Sequence, residues 1–247
     1  MSLRDYLFEG YSRKLPENLD FSTSNSEEFE HLKSFPIMRG KQCLYIMDWT
    51  NLKISFIKGV EEMLGYALKE FNANVTGGFF HPDDKPIVEK IIRGAMDHLI
   101  YNTGDTKQIY HLMTYRIRKK NGEFIKVLRK SIGYKFDSQD IMTSSITLLT
   151  DISFMSNSNR VEWDLYIKDL DKEKLRRNIH KQFAGFFSLR ELEIIKLIKE
   201  GLSSKMIANK IYLSPHTVKT HRRNIMKKIG GGNVTELLSF CHQNGII

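Results

Sequence analysis

Residues 213–230 read LSPHTVKTHRRNIMKKIG and gather Lys219, Arg222, Arg223, Lys227 and Lys228, with His216 and His221 among them. No Asp or Glu occurs from Leu213 to Val234. On a helix turning about 100° per residue, His216, Lys219, Thr220, Arg223 and Lys227 share one face. Val218, Ile225 and Ile229 sit away from it, with His221 and Arg222 at the margins. A merely solvated helix intersperses acids that pair with its cations at i,i+4. Cations lined up without acids repel one another unless a polyanion is their neighbour. A membrane-surface helix would want Trp, Phe or Leu on its apolar side, whereas here companion helices claim that side. The pattern therefore predicts a helix laid in the major groove of DNA. Its N-terminal half would reach base edges, which selects Lys219, Thr220 and Arg223 for readout. Lys and Arg donate to guanine O6 and N7, and the Thr methyl packs on a thymine methyl. Ser214 and Thr217, at the helix start, would hold a phosphate with hydroxyls and N–H groups. Lys205, His216, Arg222 and Lys227 would contact phosphates and set affinity rather than sequence.

Such a helix must be held by others, and the flanking sequence supplies them. Ser188 and Glu191 form a capping box, with Leu192, Ile195 and Ile198 as an apolar stripe and Gly201 as a left-handed stop. Ser203 caps a short second helix with Ile207, Ala208 and Ile211 inward. Ser214-Pro215 starts the basic helix, with Ser at N-cap and Pro at N1. Gly230-Gly231-Gly232 ends it, and Asn233 with Glu236 opens a fourth helix. Four helices with a tight turn between the second and third read as a helix-turn-helix module.

Charge separates this module from the rest. The net charge is +9 over 247 residues. Residues 180–247 carry 11 Lys and Arg against 4 Asp and Glu, leaving 27 against 25 for everything before them. A basic C-terminal quarter points to a polyanionic partner, nucleic acid before anionic membrane. The length suits two domains, and 41% hydrophobic residues suffice for two cores. No apolar run is long enough to span a membrane, and MSLRDYLFEGYSRK lacks the apolar stretch of a signal peptide. Two distant cysteines, Cys43 and Cys241, make no disulfide framework and suit a reducing cytoplasm.

The N-terminal half alternates differently. CLYIMDW and LKISFI predict a hairpin, and GVEEMLGY one or two helical turns. HPDDKPIVEKIIRGAMDHLI predicts a long helix, N-capped by Asp83 or Asp84, with Ile87, Ile91, Ala95 and Leu99 inward. Asn121-Gly122 between two apolar runs predicts a second hairpin. DIMTSSITLLTDIS supplies the last strand. The expectation is an α+β chain: a five-stranded antiparallel sheet covered on one face by helices, then an all-α four-helix module. Residues 1–39 form an extension, 40–155 the sheet domain, 156–187 a partly helical linker and 188–247 the helix-turn-helix. In the linker, Trp163, Ile167 and Leu170 fall at helical spacing, open to either core packing or dimer contact.

The C-terminal residues resemble the LuxR/FixJ/NarL type of helix-turn-helix. The matching positions are Ser188 and Glu191, Gly201-Leu202-Ser203, Ile207-Ala208, Leu213-Ser214, Thr217-Val218-Lys219, His221, Ile225 and Lys228. In that family the two positions after the Thr-Val pair, and a basic residue three further on, face the bases; here these are Lys219, Thr220 and Arg223, as on the wheel. The resemblance also implies dimerisation through the last helix, with Leu237, Leu238 and Cys241 as candidates. It departs at Met206, where an acid usually completes the second cap, and at Val234, where Arg is common. YIMDW, ISFIKGVEEMLGY, HPDD and RKKNGEF resemble a PAS domain over about 40–153.

The cofactor expectation is none, with a small-molecule ligand of the PAS-like domain left open. FNANVTGGFFHP lacks the reactive Cys of a flavin photosensor, and Cys43 lies on the first strand. His98 and His111 are the candidates for a haem ligand, but a lone His is more often surface or core. Cys241-His242 makes no metal site without further ligands. No GxGxxG, P-loop, HExxH or GxSxG is present, so no catalytic residues are assigned and no enzyme is expected. The leading expectation is a cytoplasmic, homodimeric transcription regulator that binds double-stranded DNA, with no membrane partner. The alternative is a small-molecule or redox sensor acting through protein–protein contacts.

Overall fold

Two turns chosen by local sequence start the N-terminal half. β1 (Gln42–Asp48) and β2 (Lys53–Lys58) pair antiparallel as the first hairpin. β3 (Ile109–Arg118) and β4 (Phe124–Phe136) form the second across Asn121-Gly122. Gly122 has φ +91°, a region that an L side chain rarely adopts. The Glu123 N–H donates to Asn121 Oδ1 at 3.0 Å and closes that turn. The computed structural model of the chain describes residues 29–51, 53–71, 78–101, 109–138, 142–155, 159–167 and 172–247. The side chains of 96–101, 109, 167, 172 and 176 lie outside this description, and with them the candidates His98, Leu99 and Ile167; Leu170 and most of the 1–39 extension also fall outside the described residues.

β5 (Met142–Asp151) sits between β1 and β4. The sheet order is β2-β1-β5-β4-β3-β6, so there are six strands rather than the five expected. The extra strand is β6 (Glu162–Ile167), antiparallel to β3. It replaces the helical start expected of the linker. Val161 and Leu165 are buried and Trp163 partly so, while Glu162, Asp164 and Tyr166 are exposed. That is a period of two, and β3 offers an open edge to receive it.

Helices cover both faces of the sheet to different extents. α1 (Glu30–Lys33) brings Phe29 and Leu32 against Leu44, Ile46 and Phe56 on one face. α2 (Val60–Leu64) and α3 (Lys85–Tyr101) cover the other, where Ile87, Ile91 and Ala95 are buried at their helical spacing. Each isoleucine contributes about 1.5–3 kcal/mol through burial, and the alanine methyl about 0.8 kcal/mol. Asp84 directly precedes α3, yet its carboxylate does not serve as the expected cap. It accepts from the Arg116 backbone N–H at 2.7 Å and from the Arg116 guanidinium at 2.5–3.2 Å. A charge-assisted bidentate pair is stronger than a cap to a neutral N–H.

The remaining linker residues form α4 (Lys172–Gln182). A Cβ at Gly94 would meet Ile179 Cα at 2.7 Å, so α3 and α4 touch almost backbone to backbone. Leu175, Ile179 and Phe183 are buried. Four helices follow: α5 (Leu189–Lys199), α6 (Ser204–Lys210), α7 (Pro215–Lys228) and α8 (Val234–Gln243). They join the first half through a definite seam. The Trp163 Nε1–H donates to Asn244 Oδ1 at 3.1 Å, and Gln243 Nε2 donates to the Trp163 carbonyl at 2.7 Å. Phe183 meets Phe240 edge-on with ring centroids 5.9 Å apart.

Candidate nucleic-acid interface

Each of the four C-terminal helices begins where its cap predicts. Ser188 Oγ accepts the Glu191 N–H at 3.2 Å, and Glu191 Oε2 accepts the Ser188 N–H at 2.8 Å. Ser203 accepts from the Met206 N–H at 3.3 Å; with Met in place of an acid, the reciprocal bond is missing. Ser214 accepts from the Thr217 N–H at 3.0 Å, with Pro215 in the first turn. Asn233 and Glu236 form a full capping box.

Glu191 does more than cap. Its carboxylate also receives Lys228 Nζ at 2.6 Å, tying α5 to the end of the basic helix α7. Lys228 donates to the Phe186 carbonyl at 3.3 Å and lies over the Phe187 ring as well. It is thus a structural cation, separate from those that face outward. Burial pushes the Glu191 pKa up, but the Lys228 hydrogen bond, the Ser188 N–H and the Lys228 charge outweigh it and hold the group below its ordinary value. A carboxylate depressed in the folded state stabilises that state fully above the unfolded pKa, and the contribution is lost as pH falls through the folded pKa. Acid titration of the melting temperature should show this loss, and Glu191→Gln should flatten it. We expect Glu191→Ala to destabilise the module by about 1–2 kcal/mol in chemical denaturation, through cap and charged bond together.

Between α6 and α7 the chain turns through Tyr212, the one described non-glycine residue at positive φ (+55°). Its side chain is 94% exposed, so no packing compensates the strain. The left-handed conformation costs an L residue about 1–2 kcal/mol. Tyr212→Gly is therefore expected to raise stability by up to about 1 kcal/mol, less what glycine gives back in unfolded-chain entropy. Equilibrium urea melts would check it, and a clear loss of stability would contradict it. Sequence reading passed over Tyr212, because backbone strain leaves no mark on composition.

With the turn set, α7 presents two faces. Val218, Ile225 and Ile229 are buried, at 0%, 0% and 1% exposure. His216, Lys219, Arg223 and Lys227 are exposed and Thr220 is half-buried on the outer side. Lys205 on α6 and Ser214 at the helix start are exposed too, with Thr217 half-buried. The Ser214 and Thr217 hydroxyls lie 2.8 Å apart. Among the described residues no carboxylate pairs with Lys205, Lys219, Arg223 or Lys227. Arg222 differs from its neighbours: it is half-buried, and its enclosed Nη1 has no partner. The basic face is open to solvent.

The last helix turns part of its apolar stripe inward. Leu237 and Cys241 are fully buried beside Phe240 in the module's own core, and Leu238 is half-buried. The α8 apolar stripe is the one that anchors the helix to its own chain, so Leu237 and Cys241 are not available at an outer surface. Burial pushes the Cys241 thiol up to about 12. Among the described residues no cluster of three His, Cys, Asp or Glu could hold a metal, and no helix is long and apolar enough to cross a membrane.

Comparison with known proteins finds a match in each half of the chain. Residues 186–241 match the family described as "Bacterial regulatory proteins, luxR family", and residues 53–141 match the PAS fold. The uncharacterized transcriptional regulatory protein YxjL of Bacillus subtilis (strain 168) is 36% identical over 67 residues, 27% of this chain and 31% of the relative. The monoamine regulon transcriptional regulator of Klebsiella aerogenes is 32% identical over 104 residues, 40% of this chain and 43% of the relative. The chain spans less than half the length of the curated relatives it matches. Among solved structures, a Vibrio cholerae VqmA dimer is 14% identical and aligns over 89% of this chain and 87% of its own, with a TM-score of 0.37. A score that low does not relate the arrangement of the two halves.

Proposed function

We propose that this chain, which carries a PAS-fold domain and a LuxR-family helix-turn-helix, is a sequence-specific DNA-binding transcription regulator of the cytoplasm. The observation that carries this reading is the exposed face of α7, where Lys219, Arg223 and Lys227 have no acid partner among the described residues while the apolar face is buried. The relatives named above as transcription regulators support it, and none of them is named as an enzyme. The working division is a sheet domain over 40–155, a joint over 156–187 and the DNA-binding module over 188–247. In this reading Lys219, Thr220 and Arg223 meet base edges. Lys205, Ser214, His216, Thr217 and Lys227 meet phosphates. Arg222 turns outward to join them only when DNA supplies the partner that its enclosed Nη1 lacks. Two copies would place two such helices in half-sites one turn apart, with Leu238 rather than Leu237 or Cys241 left on α8 to meet the second copy.

The salt dependence of duplex binding tests this reading. Each phosphate neutralised adds about 0.9 to the slope of log K against log salt. Lys205→Ala and Lys227→Ala should each lower the slope by about that amount and leave base preference unchanged. A salt-insensitive association with DNA would instead favour a sensor that acts through protein contacts.

The same geometry supports a route from sensor to reader. α3 meets α4 at Gly94 and Ile179, and Phe183 at the end of α4 meets Phe240 of α8. A change in the sheet domain that moves α3 would be passed to the module through these contacts. Insertions at 168–171 that left regulated DNA binding unaltered would rule this route out.

A further inference from the structure

Arg129 on β4 points into the space between the sheet and α3. It is 8% exposed, and no carboxylate pairs with it among the described residues. Its Nη1 lies 3.1 Å from His111 Nδ1 on the neighbouring strand, and its Nη2 donates to Ser131 Oγ at 3.3 Å. A guanidinium only donates, so His111 Nδ1 accepts and the ring proton is on Nε2. Burial, then the nearby guanidinium charge, push the His111 pKa down to about 3, which keeps the ring neutral in that form. The Nε2–H is enclosed and meets no acceptor. Ser145 Oγ accepts the Trp49 Nε1–H at 3.0 Å, which leaves its own proton to donate.

His111, Arg129, Ser145 and Trp49 line one cavity, with Ile92 of α3 and Leu165 of β6 as apolar wall. Among the described residues, every polar group that converges there has a proton to give and one carries a full positive charge, while none brings a compensating anion. An uncompensated buried cation and an unpaired buried donor are each costly. The free space is about 30 Å3, room for roughly one or two waters, or for the head of a small organic ion.

We propose that this cavity binds a small monocarboxylate of about two or three carbons, with Arg129 pairing its charge and His111 Nε2 and Ser145 Oγ donating to its oxygens. The carboxylate supplies the acceptors and the negative charge that the cavity lacks. Its short alkyl end packs on Ile92 and Leu165. This deepens the sensor reading above and rests on it for meaning, but binding is measured without DNA. A null result here therefore removes the ligand class and leaves the DNA reading standing.

The test is calorimetric titration of the full chain, in buffer free of carboxylates, with acetate and propionate. Acetamide serves as the neutral isostere and chloride as the simple anion at equal ionic strength. The account expects saturable binding of a carboxylate and at least tenfold weaker binding of acetamide and chloride. Arg129→Gln should weaken carboxylate binding at least tenfold. Without carboxylate it should leave the melting temperature unchanged or raise it, because it removes an unpaired buried charge. No saturable response to either carboxylate, equal binding of acetamide or chloride, or undiminished binding by Arg129→Gln would overturn the proposal. Should Arg129→Gln fail to fold, the contrast between acetate and acetamide on the unaltered protein decides alone.

Discussion

Arg223→Ala is expected to weaken binding to a selected duplex by about 5- to 150-fold and to relax base preference at one position of each half-site. The range follows from roughly 1–3 kcal/mol for a bidentate contact to guanine O6 and N7. Arg223 is exposed and has no acid partner among the described residues, so no ion pair with them must break before it reaches a base. Loss of this side chain should also spare the fold, since the buried side of α7 is carried by Val218, Ile225 and Ile229. Lys219→Ala, one turn earlier on the same face, should behave similarly. Lys227→Ala is the control: weaker binding on all sequences, with preference retained. Fluorescence anisotropy against the selected duplex and its single-base variants separates the two patterns. A uniform loss with Arg223→Ala would move that residue from base readout to phosphate contact.

Asp84→Ala is expected to destabilise the sheet domain by about 3–5 kcal/mol, the usual cost of removing one partner from a buried ion pair. Asp84 is 1% exposed, and the Arg116 side chain opposite it is 13% exposed. Removal strands that guanidinium and also takes the acceptor from the Arg116 backbone N–H. Against a total of about 5–15 kcal/mol for a typical domain, such a loss is a large fraction. The pair also lies near the seam, because Gly230 packs on the Asn159 carbonyl beside the Arg116 guanidinium. Asp84→Ala should therefore loosen the hold of the sheet domain on the end of α7, besides lowering its stability. Urea denaturation followed by tryptophan fluorescence would measure the effect, with Trp49 and Trp163 reporting on the sheet half. A cost below about 1 kcal/mol would mean that water replaces the carboxylate without penalty.

What could be read before folding was what depends on near neighbours along the chain. Ser188 and Glu191 lie three apart, as a capping box requires, and both bonds are made. Asn121-Gly122 sets its turn alone, and the face carrying Lys219 and Arg223 follows from helical pitch. What could not be read depends on partners far away. Residues 161–167 satisfy a helical and an alternating pattern at once over so short a length, and the open edge of β3 decides for a strand. Asp84 turned from its helix to Arg116, 32 residues on, because a charged partner was near in space. His111, Ser131 and Thr147 stand side by side only because β3, β4 and β5 pair in that register. Nothing in the local sequence marks Arg129 as having no carboxylate partner among the described residues. Leu237 and Cys241 form an apolar stripe with two uses, own core or dimer, and α8 spends it on its own core.

Selection from a random duplex library at low ionic strength, run with the unaltered chain and with the triple variant Lys219→Ala, Thr220→Ala, Arg223→Ala, bears most directly on the role of α7. The account predicts that the unaltered chain enriches a two-fold-related motif. The triple variant should lose that motif yet keep a salt-dependent, sequence-blind affinity from Lys205 and Lys227. Failure of the unaltered chain to retain any duplex, or enrichment of the same motif with the same affinity by both proteins, would contradict it.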